Sequence, residues 1–516
     1  MAHHLTFSAA DREQMNKLGI DMETVFQQME ILSRGNRFVW VHAPAVRGNG
    51  INVYDEETIE KLVKEFEHVV KNKKLLKFIP ASGAATRMFK DLFQVLEPHT
   101  LDNTYLSPAV KNALALMQSL KQTAFYDRLK ATLYKHNLHL ERLLDNKDYV
   151  PVIKYLLDKE GMHYAALPKG LLLFHSYENE NRTAFEEHFV EGSAYAKNSD
   201  GQVHLHFTIS PEHKQWFENL LQEVKQSYEQ RFNVSFKVDF SFQSPATNTL
   251  SLTEDNDLFR NEDGSLEFRP GGHGSLLENL SNVDADVVFI KNIDNVTVDA
   301  RKADTILYKK LLSVLLLNMQ EQCFAYLRML ESPSLSLSAL AAIEGFAQEQ
   351  LHIVFPGYYA SMQPEEKQAY LFRQLNRPIR VCGMVKRENE PGGGPFWAGN
   401  ASGQLSLQIV ETSEIDLSDP EQESCLEASE YFNPVDLVCG LKNYKGEKFN
   451  LQDYADKERC FVTIKSKNGK VLKALEHPGL WNGAMSDWIS IFVAVPLSTF
   501  TPVKTINDLL RKEHRQ

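Results

Sequence analysis

Apolar residues recur at three- and four-residue spacing over residues 1–35 and 54–73 and predict helices there. Ile59, Leu62, Val63, Phe66 and Val70 fall on one face of the second. Leu75–Ile79 is an apolar run of strand length that stops at Pro80, after which Met88, Leu92, Phe93 and Leu96 resume helical spacing. That order is strand, small-residue loop, helix. Helical patterns return over 108–160. A short strand is predicted at Gly170–Phe174, an alternating one at His204–Ile209, and another at Asn233–Phe242, where Val234, Phe236, Val238, Phe240 and Phe242 share a face. Asp286–Ile290 reads as a buried strand ending in polar residues, and Ala303 to about Val354 is helical and strongly apolar. Strand patterns follow at Ile379–Val385, Leu405–Val410, Phe461–Ile464 and Trp488–Val495, and the chain closes on a short helix, Thr505–Lys512. Pro391–Pro395, beside Trp397, reads as a flexible loop. Strands interleaved with helices, without an internal repeat, predict an α/β core with helical insertions.

Composition narrows the class. The chain has 516 residues, 43% of them hydrophobic and 24% charged, as in ordinary globular proteins of two to four lobes. With 56 Lys+Arg against 68 Asp+Glu, the net charge is −12, which argues against nucleic acid or an anionic membrane as partner. The longest apolar stretch, Leu311–Leu317, ends at Asn318, far short of the ~18–20 residues of a membrane helix. The N-terminus has neither a basic nor an apolar segment of the secretory kind. Five cysteines without a C-x-x-C pair predict neither a disulfide framework nor a thiolate metal site, and the expected setting is the cytoplasm.

Several segments could carry chemistry. Pro80–Lys90 lies between a strand and a helix; its small residues, Ser82, Gly83, Ala84 and Ala85, allow close approach of an anion, and Arg87 and Lys90 supply charge. Spacing alone fits a tight turn with two surface cations equally well, and it is not a Walker A loop. Pro168-Lys169-Gly170 places a lysine just before an apolar strand. Gln243 ends one strand, Arg269-Pro-Gly-Gly-His-Gly274 makes a glycine-rich turn, and the strand from Asp286 delivers Asn292, Asp294 and Asn295 at its carboxyl end. Ligands of open α/β sheets bind at such ends, and an aspartate there suits Mg²⁺. Glu411 and Glu414 follow the strand at 405–410, and Lys504 precedes the last helix. His204 and His206 lack a third residue at metal spacing, Cys323 reads as packing, and no G-x-S-x-G elbow is present. A D-x-D spelling, Asp284-Ala-Asp286, precedes its strand rather than following it, where a metal ligand would project.

In their order along the chain these segments resemble the UDP-sugar pyrophosphorylases, which are GT-A-type sugar nucleotidyltransferases. Ser82-Gly-Ala-Ala-Thr-Arg87 is similar to that family's glycine-rich loop ending in Thr-Arg, and Pro168-Lys169 to its Pro-Lys. Gln243 with Pro270-Gly-Gly-His-Gly274 resembles its uracil-contacting glutamine and glycine turn, Asn292-Ile-Asp294-Asn295 its metal-binding Asp-Asn, and Ile409-Val-Glu411-Thr-Ser-Glu414 its Val-Val-Glu-Tyr-Ser-Glu. Pro502-Val-Lys504 is similar to the Pro-Val-Lys of the glucose-specific members. The chain also resembles an uncharacterised bacterial family known only as a domain of unknown function. Only Gly83 remains of the family loop's several glycines.

The resemblance implies a GT-A/Rossmann-like nucleotide-diphospho-sugar transferase core with a small C-terminal α+β region. The expected division is a helical region over 1–73, the core over 74–300 with a helical insertion at about 100–165, a helical insertion over 301–375, completion of the core over 376–416, and a C-terminal region over 417–516; the two insertions have no counterpart in that family. The implied reaction takes a nucleoside triphosphate, UTP if Gln243 keeps its family role, and a sugar 1-phosphate to a nucleotide sugar and pyrophosphate, with Mg²⁺. Arg87, Lys169 and Lys504 would serve catalysis and Asp294 would hold the metal. Ser82, Gly83, Ala84, Thr86, Gln243, Gly271, Gly272, His273, Asn292 and Glu411 would bind substrate. The alanine-substituted loop leaves a second expectation, a nucleotide-sugar-binding protein without turnover.

Overall fold

The computed structural model describes residues 6–83, 85–97, 107–388, 392–399 and 403–516. They divide into two compact units: Met1–Val69, Phe242–Val288 and Leu311–Val495 form the first, and Val70–Ser241, Phe289–Lys310 and Pro496–Gln516 the second.

In the second unit, strands Leu75–Pro80, Gln202–Thr208 and Ser235–Ser241 run parallel in that order, and the Phe289–Lys291 end of the strand Val287–Lys291 lies on the far side of Leu75–Pro80. Parallel neighbours need a crossover, and helix Lys214–Phe232 supplies the one joining the last two strands. Helix Ala184–Tyr195 is started by a reciprocal cap between Thr183 and Glu186, and it is buried on every side. Its Phe185 and Phe189 pack against Phe207, Phe217 and Phe236, an aromatic core that sets the helix on the sheet. Helices Pro108–Ser119, Tyr126–Lys135, Leu140–Asp145 and Tyr149–Leu157 complete the unit. Its last segment is pinned by Val298 N–H to Glu513 O and by Thr501 N–H to Asn295 Oδ1.

Among the described residues, the first unit holds strands of three sheets. Strands Gly50–Asn52, Ile489–Ala494 and Ile379–Lys386 are parallel neighbours, with Asp436–Gly440 antiparallel to the last. Val41–Pro44, Gly394–Gly399 and Leu405–Val410 form an antiparallel sheet, and so do Phe268–Arg269, Thr249–Leu252, Lys470–Glu476 and Phe461–Lys467. Helices Ala9–Leu18 and Met22–Arg34, separated by Gly19 in the left-handed region, lay Met15, Val25 and Leu32 onto Leu250, Leu252 and Leu475.

The mixed α/β architecture expected from periodicity is present; several local expectations are corrected. The strand expected at Gly170–Phe174 is a 3₁₀ turn, Lys169–Leu171, followed by a strand at Leu173–Ser176, and the terminal helix is two 3₁₀ turns, Ile506–Leu510 and Lys512–His514. The apolar stretch from Ala303 is two helices, Ala303–Leu330 and Leu337–Glu349. Gly394 and Pro395, read as loop, begin the middle strand of a three-stranded sheet, and Pro391 lies outside the described residues. All five cysteines are free thiols, and no described helix is long and apolar enough to cross a membrane.

Candidate functional site

The second unit gathers the phosphate-type candidates at the carboxyl ends of its strands. Leu75–Pro80 runs into the Ser82–Arg87 loop. Ala85 N–H donates to Leu167 O (3.2 Å) and Thr86 Oγ1 to Ala165 O (3.4 Å), so the loop rests on the chain just ahead of Lys169. Ile293 N–H donates to Pro80 O (3.3 Å), which brings the turn bearing Asn292 and Asp294 to the same end. Lys169 Nζ is the hub: it donates to Asp294 Oδ2 at 2.6 Å and to the carbonyl of Val503 at 2.7 Å, while Val503 N–H donates to Asp294 O at 3.0 Å. Lys504 is exposed, with Nζ 5.7 Å from the centre of the Phe500 ring, and Arg87 is also exposed. Asn292 is half-buried.

The loop's residues differ in what fixes them. Gly83 is not in the left-handed region, and a Cβ there would meet nothing within 4 Å among the described residues. Neither backbone conformation nor packing calls for glycine at that position, and the space above it is open. Ser82 and Thr86 are exposed, Ala85 is fully buried with its methyl inside the unit, and Ala84 lies outside the described residues.

Behind this surface lies a charge cluster that sequence reasoning missed. Glu191, on the buried helix, accepts from Lys77 Nζ and Lys291 Nζ, each at 2.8 Å, and none of the three is more than 1% exposed. Burial pushes Lys77 down to about 7 against the pull of Glu191, and the two lysines hold Glu191 well below the ordinary carboxylate range. His188, kept neutral by burial, hydrogen-bonds through Nε2 to Ile293 O at 3.1 Å, beside Asp294. A lysine inside each of the apolar runs Leu75–Ile79 and Val287–Lys291, matched by the lone Glu191 in the apolar stretch Phe189–Gly192, was the available signal.

The other candidates lie in the first unit. Gln243 has a buried Nε2 with no hydrogen-bond partner among the described residues, an orphaned donor. Gly272 has φ +75°, and a Cβ on Gly271 or Gly274 would run into His477 or Pro478, so these glycines serve a close approach of two chain segments. His273 stacks on Trp481 (centroids 4.5 Å apart, 14° between planes), and Leu480 N–H donates to its Nδ1 at 3.0 Å. Glu411 Oε1 accepts from Asn482 Nδ2 at 2.6 Å, and its N–H donates to Glu414 Oε2 at 2.8 Å. Glu414, raised by burial, is ion-paired with Arg459 at 2.7 Å and so braces the turn rather than facing a ligand. Both carboxylates of the Asp284-Ala-Asp286 spelling are ion-paired with Lys442, at 2.9 and 3.0 Å.

Among the described residues there is no group of three or more His, Cys, Asp or Glu side chains arranged to hold a metal. Asp294 offers one carboxylate, enough for Mg²⁺ only where substrate phosphates and water complete the shell.

No curated protein matches the sequence. Among solved structures, a UDP-glucose pyrophosphorylase from Leishmania major bound to UDP-glucose superposes with a TM-score of 0.46 at 12% identity, over 98% of this chain and 79% of that one. A UDP-glucose phosphorylase from Trypanosoma brucei gives 0.46 at 14% identity, over 97% and 77%. Similarity at that level does not by itself establish a common fold or activity. Residues 8–515 match the family described as a domain of unknown function, DUF4301, and the chain belongs to that family.

Proposed function

We propose that the protein is a sugar-1-phosphate nucleotidyltransferase with a GT-A-like core, which joins a nucleoside triphosphate, UTP, to a sugar 1-phosphate and releases pyrophosphate. The observation that carries this reading is the knot of Lys169, Asp294 and Val503 at the carboxyl ends of the strands. It is flanked by exposed Arg87 and Lys504 in a chain whose net charge is −12.

In the reaction a phosphate oxygen of the sugar 1-phosphate bonds to the α-phosphorus while the bond to the β,γ-pyrophosphate breaks. A phosphate monoester with a second pKa of ~6 is already a dianion at pH 7, so no strong base is needed. The catalytic task is to hold two polyanions in line and neutralise the leaving group. Arg87 and the open surface above Gly83 suit the β- and γ-phosphates, and Lys169 and Lys504 the α-phosphate and the sugar phosphate. Ala85, packed inward, leaves that surface clear. Asp294 would hold Mg²⁺, whose part is to neutralise phosphate charge. An arriving phosphate gives Lys169 an alternative partner and frees Asp294 Oδ2. In the first unit the orphaned amide of Gln243 suits a carbonyl of the base, and Glu411 suits sugar hydroxyls.

Titration calorimetry with the four triphosphates in Mg²⁺ tests the assignment. UTP should bind most tightly, and Lys169→Ala should weaken it about ten-fold or more, the value of a lost charge-assisted contact. A wild-type protein that binds no triphosphate would refute it. The closed Lys169–Asp294 pair and the single loop glycine favour one other reading, a nucleotide-sugar-binding protein without turnover; it predicts binding indifferent to Lys169→Ala.

A further inference from the structure

The turn His477-Pro-Gly-Leu-Trp-Asn482 belongs to none of the segments singled out by sequence, yet it touches two candidate ligand groups of the first unit. His477 N–H donates to Gly271 O at 2.8 Å, Leu480 N–H to His273 Nδ1 at 3.0 Å, and Asn482 Nδ2 to Glu411 Oε1 at 2.6 Å. Gly479 is the pivot. A Cβ there would lie 2.8 Å from Asn482 Nδ2 and 2.9 Å from His273 Cε1, so the imidazole edge and the amide that holds Glu411 converge on one point. The turn is itself anchored from beneath. Arg380, fully buried on the strand Ile379–Lys386, donates through Nε to Ser490 Oγ at 2.8 Å and through Nη1 to the carbonyl of Trp481, and its Nη2 has no hydrogen-bond partner among the described residues.

This arrangement fixes a proton. Nδ1 of His273 accepts a backbone N–H, so it carries no hydrogen, and the ring proton of the neutral imidazole sits on Nε2. Burial also holds the ring neutral, outweighing Glu476 and Glu414. Among the described residues Nε2 has no hydrogen-bond partner. The turn therefore fixes an N–H donor on His273 and, through Asn482, a carboxylate acceptor on Glu411.

We propose that His477–Asn482 is a specificity element of the first-unit site: it sets His273 as an Nε2–H donor and aims Glu411, so that together they take a polyhydroxylated group, with an acceptor oxygen on His273 and hydroxyl protons on Glu411. Read with the proposed function, on which the identity of the ligand rests, that group is the sugar of a nucleotide sugar. Trp481, Asn482 and Gly479 are positioning residues, acting through His273 and Glu411.

Two measurements on the full chain test this. Histidine-selective ¹⁵N labelling, with His273→Gln to assign the signal among 17 histidines, reads the tautomer directly. His273 should show one neutral form protonated on Nε2 across pH 6–8, and Gly479→Ala should shift it to a mixture. In parallel, calorimetry with UDP-glucose and UDP should show Asn482→Ala weakening UDP-glucose about ten-fold more than UDP, one well-oriented charged hydrogen bond in affinity terms. An Nδ1–H ring or an ordinarily titrating His273 in the wild type would overturn the proposal, as would equal losses for UDP and UDP-glucose in Asn482→Ala. A wild type that binds neither probe would count against the nucleotidyltransferase reading, and the tautomer in the same sample would still decide what the turn does.

Discussion

Two lysines and one glutamate, sealed from water, are the sharpest constraint at the scale of single residues. Glu191 neutralises one of two ammonium groups, so removing its charge leaves Lys77 and Lys291 buried together. Breaking a buried pair costs about 3–5 kcal/mol, and Glu191→Gln should lower unfolding stability by that order in a urea titration. A loss below about 1 kcal/mol would mean that the lysines shed their protons at little cost. At the proposed phosphate surface the stakes are kinetic. Lys169 and Asp294 are only 17% and 19% exposed and Lys169 also holds the Val503 carbonyl, so Lys169→Ala and Asp294→Ala should each lower unfolding stability by about 1–3 kcal/mol without unfolding the protein. Turnover, by contrast, should fall on the order of 10²-fold or more, the cost of removing a group that meets transition-state charge. Glu411→Ala should instead change which sugar 1-phosphate is preferred, measured as the ratio of kcat/KM values between sugars.

At the scale of elements, the C-terminal segment that carries Lys504 is held by a buried histidine pair. His175 Nδ1 meets Glu187 Oε1 at 2.8 Å, and its Nε2 meets His514 Nδ1 at 2.9 Å. Lys302 and Arg182 press on the same glutamate, and Arg511 lies close to His514. Burial and the neighbouring His175 push His514 down to about 3. Between pH 6.5 and 3 the unfolded chain binds a proton that the native His514 refuses, so stability is present above about 6.5 and is lost as pH falls through that window. The slope is about 1.4 kcal/mol per pH unit at most. Urea midpoints measured from pH 7 to 4 should fall, and His514→Gln should flatten part of that slope.

What the sequence disclosed of the elements depended on whether a polar face existed. Leu75–Pro80 and Ser235–Ser241 showed their run or alternation. Helix Ala184–Tyr195 is buried all round, its glutamates paired inside, so no polar stripe marked it. Helix Lys214–Phe232, by contrast, did carry a readable face, with Phe217, Leu221, Val224 and Tyr228 at four-, three- and four-residue spacing. The hairpin Phe461–Lys467 to Lys470–Glu476 did carry a readable signal: Asn468-Gly469, both at positive φ, as a two-residue turn demands. In the candidate site, exposed motif residues such as Arg87 and Lys504 were legible from order along the chain. Asn482, Trp481 and Arg380 were not, because their roles exist only where distant segments meet.

For the whole molecule, the central claim is a reaction, the transfer of a nucleotidyl group to a sugar 1-phosphate. Membership of DUF4301 supplies no activity, so the chemistry of the side chains has to carry the claim. The most direct test is pyrophosphate release by purified protein with Mg²⁺, UTP and a panel of sugar 1-phosphates, with Asp294→Ala run alongside. The account predicts release with one UTP–sugar pair, dependent on Mg²⁺ and abolished in the variant. Silence across the panel, or release undiminished in Asp294→Ala, would contradict it.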